Sequence, residues 1–253
     1  MKKLILGVAI GLSLATLGAE EPFNVAVFGG SFSVIRPSQV AKDEWRKAFG
    51  CQVVDFGRGG MGFLNGAAKT NDIPNQIRKA LASKRRFRAF VLWASTNDIH
   101  KYTPAQQNEA ISNCVAMIRA GAPEAKVLFF ASMPCPLRRE MNARLEAFVA
   151  GQLATCASLG VPCLDLYHDS GITAENAALY AGKDKFHPNE AGYARIAPLQ
   201  VAFLRRHLVP SPCAAGGSAG TVVRAFAAAD RINWSADLRT FDWDTGEFEF
   251  ERD

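Results

Sequence analysis

The stretch "NVAVFGGSFSVIRPS" (residues 24–38) decides how the rest of the chain is read. An apolar run stops abruptly at Gly29-Gly30 and gives way to Ser31 and Ser33. This is the pattern of a buried strand delivering a tight turn, whose glycines either reverse the chain or hold a serine at the apex. Four more runs repeat the plan: "CQVVDFG" (51–57), "RAFVLWAS" (88–95), "KVLFFASM" (126–133) and "VPCLDLY" (161–167). They are nearly continuous in apolarity, as expected of strands covered on both faces. Between them lie segments read as helices. One spans 37–49, beginning at Pro37; a second has Thr103 as cap, Pro104 at its first position and Gly121 after its end. A third covers 136–160, and a fourth covers 187–208 with Pro188 as its first helical residue. Such alternation implies a parallel sheet with right-handed crossovers and helices on both faces. Ligands then bind beyond the carboxyl ends of the strands, where Ser31, residues 57–60, Asn97 and the 133–136 turn all fall.

The length of 253 residues suits one domain. The opening "MKKLILGVAIGLSLATLGA" has two lysines, a short apolar core and a small-residue end. It reads as a secretory signal peptide over 1–19, too short for a membrane span and with no lipoprotein cysteine after it. The expected mature domain is 20–208, secreted or periplasmic, with no stable membrane insertion after cleavage. Its net charge drops from +5 by the two lysines of the leader, to about +3, which excludes little. The basic run "SKRRFR" (83–88) reads as a solvated helix end rather than a nucleic-acid surface. Six cysteines (51, 114, 135, 156, 163 and 213) permit disulfides in an exported protein, although burial as small apolar residues accounts equally well for several. No CxxC motif occurs, and no metal or other cofactor is expected. Residues 209–253 read as a linker followed by a hairpin. A two-residue loop at Thr245-Gly246 would set Trp243 opposite Phe248 and Phe241 opposite Phe250.

A serine hydroxyl is a poor nucleophile until a base takes its proton and a third group orients that base. Of the four histidines, His207 is explained by its helix end, and His100 has no obvious carboxylate partner beyond Asp98. His168 and His187 each close an Asp-x-x-His, in "DLYH" (165–168) and "DKFH" (184–187). Asp165 reads as the end of a strand. Asp184 instead lies on a loop before a helix, from which its carboxylate can reach back to the imidazole Nδ1 of His187 and leave Nε2 free for the serine proton. Candidate oxyanion donors are the Ser31 N–H, a backbone N–H within "GRGG" (57–60), for which Gly60 is suited, and the Asn97 amide. Ser33 remains a rival nucleophile.

Taken together, these blocks resemble the SGNH (GDSL-type) hydrolases. Phe28-Gly29-Gly30-Ser31 is similar to the family's strand followed by Gly-Asp-Ser. Residues 55–60 ("DFGRGG") look like its Asn-x-Gly-x-x-Gly, and Ser95-Thr96-Asn97-Asp98 like its Gly-x-Asn-Asp. Asp184-Lys185-Phe186-His187-Pro188 matches its Asp-x-x-His-Pro, and "NEAGYARIA" resembles its closing helix. The resemblance spans about residues 24–207 and implies a three-layer α/β/α, flavodoxin-like fold with a five-stranded parallel sheet. It implies a serine esterase with Ser31 as nucleophile, His187 as base, Asp184 as its partner, and Ser31, Gly60 and Asn97 around the oxyanion. Three positions depart from the pattern: Gly30 stands for Asp, Asp55 for Asn and Ser95 for Gly. By family analogy the substrate is a short acyl ester, such as acetyl, on carbohydrate. The alternatives are a lipase or thioesterase with an acyl channel near Phe32, Trp93 or Phe186, and a catalytically impaired carbohydrate-binding protein.

Overall fold

The computed structural model describes residues 22–209, 241–242 and 247–248. Five parallel strands, β1 (Asn24–Gly29), β2 (Gln52–Asp55), β3 (Ala89–Trp93), β4 (Lys126–Phe130) and β5 (Cys163–Leu164), form one sheet in the order β2-β1-β3-β4-β5. The strands alternate with the four long helices of the sequence reading and with one that it passed over. They are α2 (Gln39–Phe49), α3 (Ile73–Ala82), α4 (Pro104–Gly121), α5 (Arg139–Ser158) and α8 (Glu190–Leu208). Short helices α1 (Ser31–Val34), α6 (Leu166–Asp169) and α7 (Ala177–Tyr180) lie in the connections. The fold is thus a three-layer α/β/α, flavodoxin-like sheet.

Side chains of successive strand residues leave the sheet on opposite faces, so each central strand feeds two cores. Ala26, Phe28, Phe90, Leu92 and Phe129 pack with Ile73 and Ile77 of α3, Ile111 and Val115 of α4, and Phe148 of α5. Val25, Val27, Val91, Trp93 and Phe130 pack on the other face with Trp45 of α2 and with Tyr193, Ile196 and Leu204 of α8. Each fully buried Phe, Leu or Val of this kind contributes about 1.5–3 kcal/mol, which is why apolarity is continuous along β3.

Register places the functional segments. Gly29 pairs with Trp93, and Val27 with Asp55, so the turns after β1, β2 and β3 emerge side by side at one edge. The Phe56 N–H donates to Val27 and the Arg58 N–H to Gly29, tying the loop after β2 to the end of β1. The basic run lies at the opposite end, since Arg88 directly precedes β3.

Several expectations are corrected. Pro188 is not helical: it bridges Ala181, and Asn189 caps α8 by accepting from the Gly192 N–H, so the helix begins at Glu190. The helix read from 136 begins at Arg139, and Gly121 closes α4 from inside. The hairpin joins β6 (Phe241–Asp242) to β7 (Glu247–Phe248), with Phe241 opposite Phe248 and four residues between the paired ends. That register is two residues away from the one expected of a two-residue loop. The leader and most of 209–253, Cys213 included, lie outside the described residues. The other five cysteines are free thiols, and Cys51, Cys114, Cys135 and Cys156 are buried. Burial pushes the Cys114 and Cys135 thiols up to about 12.

Candidate active site

Ser31 opens α1 immediately beyond β1, with Gly30 as N-cap. His187 reaches it from the loop before α8, and His187 Nε2 lies 2.7 Å from Ser31 Oγ. On the other side of the ring, His187 Nδ1 is 2.6 Å from Asp184 Oδ2. The second carboxylate oxygen, Asp184 Oδ1, accepts from the Phe186 and His187 N–H groups at 3.0 Å each. Lys185 turns the chain between them at φ +59, the left-handed region that non-glycine residues seldom occupy. Partial burial works to raise the Asp184 pKa, but the bonds from the imidazole and the two N–H groups outweigh it and hold the carboxyl at about 2. An ionised Asp184 therefore fixes the His187 tautomer with Nε2 facing the serine, which lets the imidazole take the Ser31 proton. Phe32 and Phe186 flank the imidazole at ring separations of 5.0 and 4.6 Å.

The rival groups are placed elsewhere. Ser33 is fully buried and donates its hydroxyl to the Gly30 carbonyl. Asp165–His168 is more than a strand end, which corrects its reading. Asp165 caps α6, accepts from the Tyr167 and His168 N–H groups and lies 2.6 Å from His168 Nδ1, the same local arrangement as at 184–187. What differs is the far side of the ring: among the described residues, no hydroxyl bonds His168 as Ser31 bonds His187. Of the three aromatics read as possible channel walls, Phe32 and Trp93 are buried in the core, whereas Phe186 is half-buried beside His187.

Of the candidate oxyanion groups, Asn97 lies beside Gly30, the residue before Ser31, together with Met61, the residue after Gly60. Among the described residues, neither the Ser31 N–H nor the Gly60 N–H is taken up by a protein acceptor, whereas the Gly60 carbonyl accepts from Asn65 Nδ2 at 2.7 Å. Gly60 is held at φ +78, and a Cβ there would meet open space, so backbone conformation rather than crowding requires glycine. Asn97 Nδ2 donates to the Met61 carbonyl at 2.9 Å and to Ser95 Oγ at 3.2 Å.

The three departures from the family pattern each have a structural partner. A Cβ on Gly30 would lie 2.5 Å from the Met61 carbonyl oxygen, 2.6 Å from Asn97 Nδ2 and 2.8 Å from Ser95 Cβ. The side chain missing at 30 and the one added at 95 thus compete for one space, and Ser95 fills it. Ser95 Oγ donates to Met61 and accepts from the Asn97 backbone and side-chain amides. Asp55 pairs with the buried Lys42 at 2.5 Å, and the same ammonium donates to the Ser33 carbonyl. Burial lowers the Lys42 pKa, and the Asp55 charge opposes that shift.

Two other supporting residues, Gln76 and Tyr193, were not singled out in the sequence. Gln76 of α3 bonds both the N–H and the C=O of Gly29, and Tyr193 donates its hydroxyl to the Phe32 carbonyl at 2.7 Å. Asp98 is fully buried and accepts from Phe63, Leu64 and Asn65 N–H groups and from Gln107 Nε2. It pins the loop that carries Gly60.

A parallel α/β sheet with a serine, histidine and aspartate in bonded sequence at its carboxyl edge defines a serine-hydrolase type of site. The family model of GDSL-like lipase/acylhydrolases matches residues 28–195, and the chain belongs to that family. It is therefore an ester-hydrolysing serine hydrolase. Among solved structures, it is similar to the lipase/acylhydrolase from Enterococcus faecalis (19% identity, 75% of this chain and 98% of that one, TM-score 0.57). It is also similar to a Lactobacillus plantarum protein (21%, 74% and 98%, 0.59) and to a GDSL-like lipase from Bacteroides thetaiotaomicron (18%, 72% and 88%, 0.53). No curated protein sequence matches it significantly. Among the described residues, no helix is long and apolar enough to cross a membrane.

Proposed function

We propose that the chain is an exported esterase in which Ser31 is the nucleophile, His187 the general base and acid, and Asp184 the group orienting His187. The 2.7 Å approach of His187 Nε2 to Ser31 Oγ carries this reading. Ser31 attacks the ester carbonyl while His187 takes its proton; His187 then returns the proton to the leaving alcohol. Water, deprotonated by the same imidazole, cleaves the acyl-enzyme. The Ser31 and Gly60 N–H groups stabilise the oxyanion, joined by Asn97 Nδ2 once its longer contact to Ser95 Oγ is exchanged for the substrate oxygen.

A short acyl group on carbohydrate is the proposed substrate class. The burial of Phe32 and Trp93 supports a small acyl group, because two of the three aromatics that could have lined a longer channel are occupied in the core and only Phe186 is left beside His187. The structural partners of Gly30 and Asp55 support an active enzyme rather than an impaired one. Export rests on the leader pattern of residues 1–19. The test is turnover of p-nitrophenyl esters of increasing acyl length and of acetylated glycans by wild type and four alanine variants. Ser31→Ala and His187→Ala should abolish turnover, Ser33→Ala and His168→Ala should retain it, and acetate should be the preferred acyl group. Unchanged turnover in Ser31→Ala, or a preference for octanoate, contradicts the proposal.

A further inference from the structure

The connection between α5 and β5 brings two cysteines together. Cys156 lies in the last turn of α5 and is buried, and Cys163 opens β5 and is half-buried. Gly160 turns the chain at φ +60, and the Val161 N–H donates to the Cys156 carbonyl at 2.9 Å, so the segment doubles back over the helix end. Cys163 then pairs with Phe129 of β4, and the Phe129 N–H donates to the Pro162 carbonyl at 2.9 Å, which fixes the side of the sheet that Cys163 faces. That side is the one α5 covers, and there the two thiols are hydrogen-bonded to each other.

The other thiols are held apart from this pair. Cys51 donates to the Trp45 carbonyl at 3.7 Å on the opposite face of the sheet, and Cys135 Sγ lies 3.5 Å from Met141 Sδ. Cys114 sits on α4 in the same layer as Cys156, but no thiol is bonded to it among the described residues. The pair also stands where a staple is useful. β5 is the edge of the sheet, only two residues long, and pairs with β4 alone.

We propose that Cys156 and Cys163 are joined by an intramolecular disulfide in the exported protein, fastening the edge strand to the end of α5. The inference goes beyond the esterase reading and rests only on the export that the leader pattern supports. The oxidant is a protein or small-molecule disulfide, the class that exporting compartments supply. Cys163, the more exposed of the two, attacks one sulfur of that disulfide as the thiolate; the other sulfur leaves as a thiolate and takes up a proton. Cys156, deprotonated in turn, attacks Cys163 Sγ. The Cys156–Cys163 bond forms, the mixed disulfide breaks, and two electrons and two protons have passed to the oxidant, which departs as a dithiol. The hydrogen bond with Cys156 and burial push the folded Cys163 thiol far up, so the exchange belongs to folding, before α5 closes over the pair.

The test expresses the full chain with its leader, traps free thiols with N-ethylmaleimide in denaturant without reduction, and digests with trypsin. Both cysteines fall in one peptide, 145–183. It should appear unalkylated and lighter by two hydrogens, and should take up two N-ethylmaleimide groups after reduction, whereas Cys51, Cys114 and Cys135 are alkylated from the start. A second sample, reduced in denaturant and refolded in a glutathione redox buffer, should form the same bond. Protein refolded with the bond should melt about 5–10 °C above protein refolded under a phosphine reductant, a difference absent in the Cys156→Ala, Cys163→Ala double variant. Two alkylated cysteines in the 145–183 peptide of exported protein, a link from it to Cys114 or Cys213, or a glutathione adduct left on Cys163 overturns the proposal. Retention of the chain inside the cell overturns the export reading instead, and the refolded sample then decides the pair. Equal melting of bonded and reduced protein overturns the fastening of β5.

Discussion

Replacing Gly30 by Asp restores the residue that the family pattern has before the nucleophile, and the structure predicts that it damages this enzyme. The new Cβ alone would enter the space of the Met61 carbonyl oxygen, Asn97 Nδ2 and Ser95 Cβ at 2.5, 2.6 and 2.8 Å. The first of these is backbone and cannot swing aside, so the 60–62 loop or the nucleophile turn must move. Overpacking of this kind costs about 1–3 kcal/mol of stability. The catalytic cost is larger, because Asn97 and the Gly60 loop are both proposed to serve the oxyanion. Losing one such donor lowers kcat by about 10²–10³-fold, or about 2.7–4 kcal/mol. Gly30→Ala, which adds only the offending carbon, should show most of the effect. Ser95→Gly removes one of the three clashes, so the Gly30→Asp, Ser95→Gly double variant should recover part of the lost kcat. The assay is steady-state turnover of p-nitrophenyl acetate, with urea melts to separate stability from kcat. A Gly30→Asp enzyme within about twofold of wild type, or a double variant whose losses simply add, would refute the argument that positions 30 and 95 share one space.

Lys42→Met should lower stability in urea by about 1.5–3 kcal/mol, because Asp55 and the Ser33 carbonyl lose a charged donor; adding Asp55→Asn should restore part of it. Asp98→Ala strands the Phe63, Leu64 and Asn65 N–H groups, so kcat should fall along with stability while Ser31 still labels slowly with a fluorophosphonate. Asp184 is depressed in the folded state to about 2, so its contribution to stability is fully present above about pH 4 and is lost as pH falls through about 2. Acid melts of wild type and Asp184→Asn should therefore converge over that window, and the variant should lose about 10²–10⁴-fold in kcat at neutral pH. Cys114 and Cys135, both pushed up to about 12, should resist iodoacetamide in native protein at pH 8 and react after unfolding; rapid native alkylation would contradict their burial.

The sheet was legible because buried parallel strands leave continuous apolar runs, and β1, β3 and β4 fall inside the segments read from the sequence. Helix α3 was passed over although Asp72 caps it and Pro74 lies in its first turn, signals of the kind that identified α4. Asp184 and His187 were legible together because three residues set their geometry through local bonds. The same local chemistry formed at Asp165–His168, so spacing alone could not separate the two; only the long-range approach to Ser31 does. Lys42, Gln76 and Tyr193 support the nucleophile turn from three different helices, and no sequence spacing records those contacts. In the sequence Gly30 is only a departure from the family pattern; Met61, Ser95 and Asn97 packed around it make glycine a requirement there.

The proposed chemistry rests on Ser31 activated by His187. Reaction of the folded protein with a fluorophosphonate, followed by peptide mass spectrometry, tests it most directly. One stoichiometric adduct on Ser31 is expected, absent in Ser31→Ala and strongly slowed in His187→Ala. An adduct on Ser33, labelling indifferent to His187, or no labelling of folded wild-type protein would contradict it.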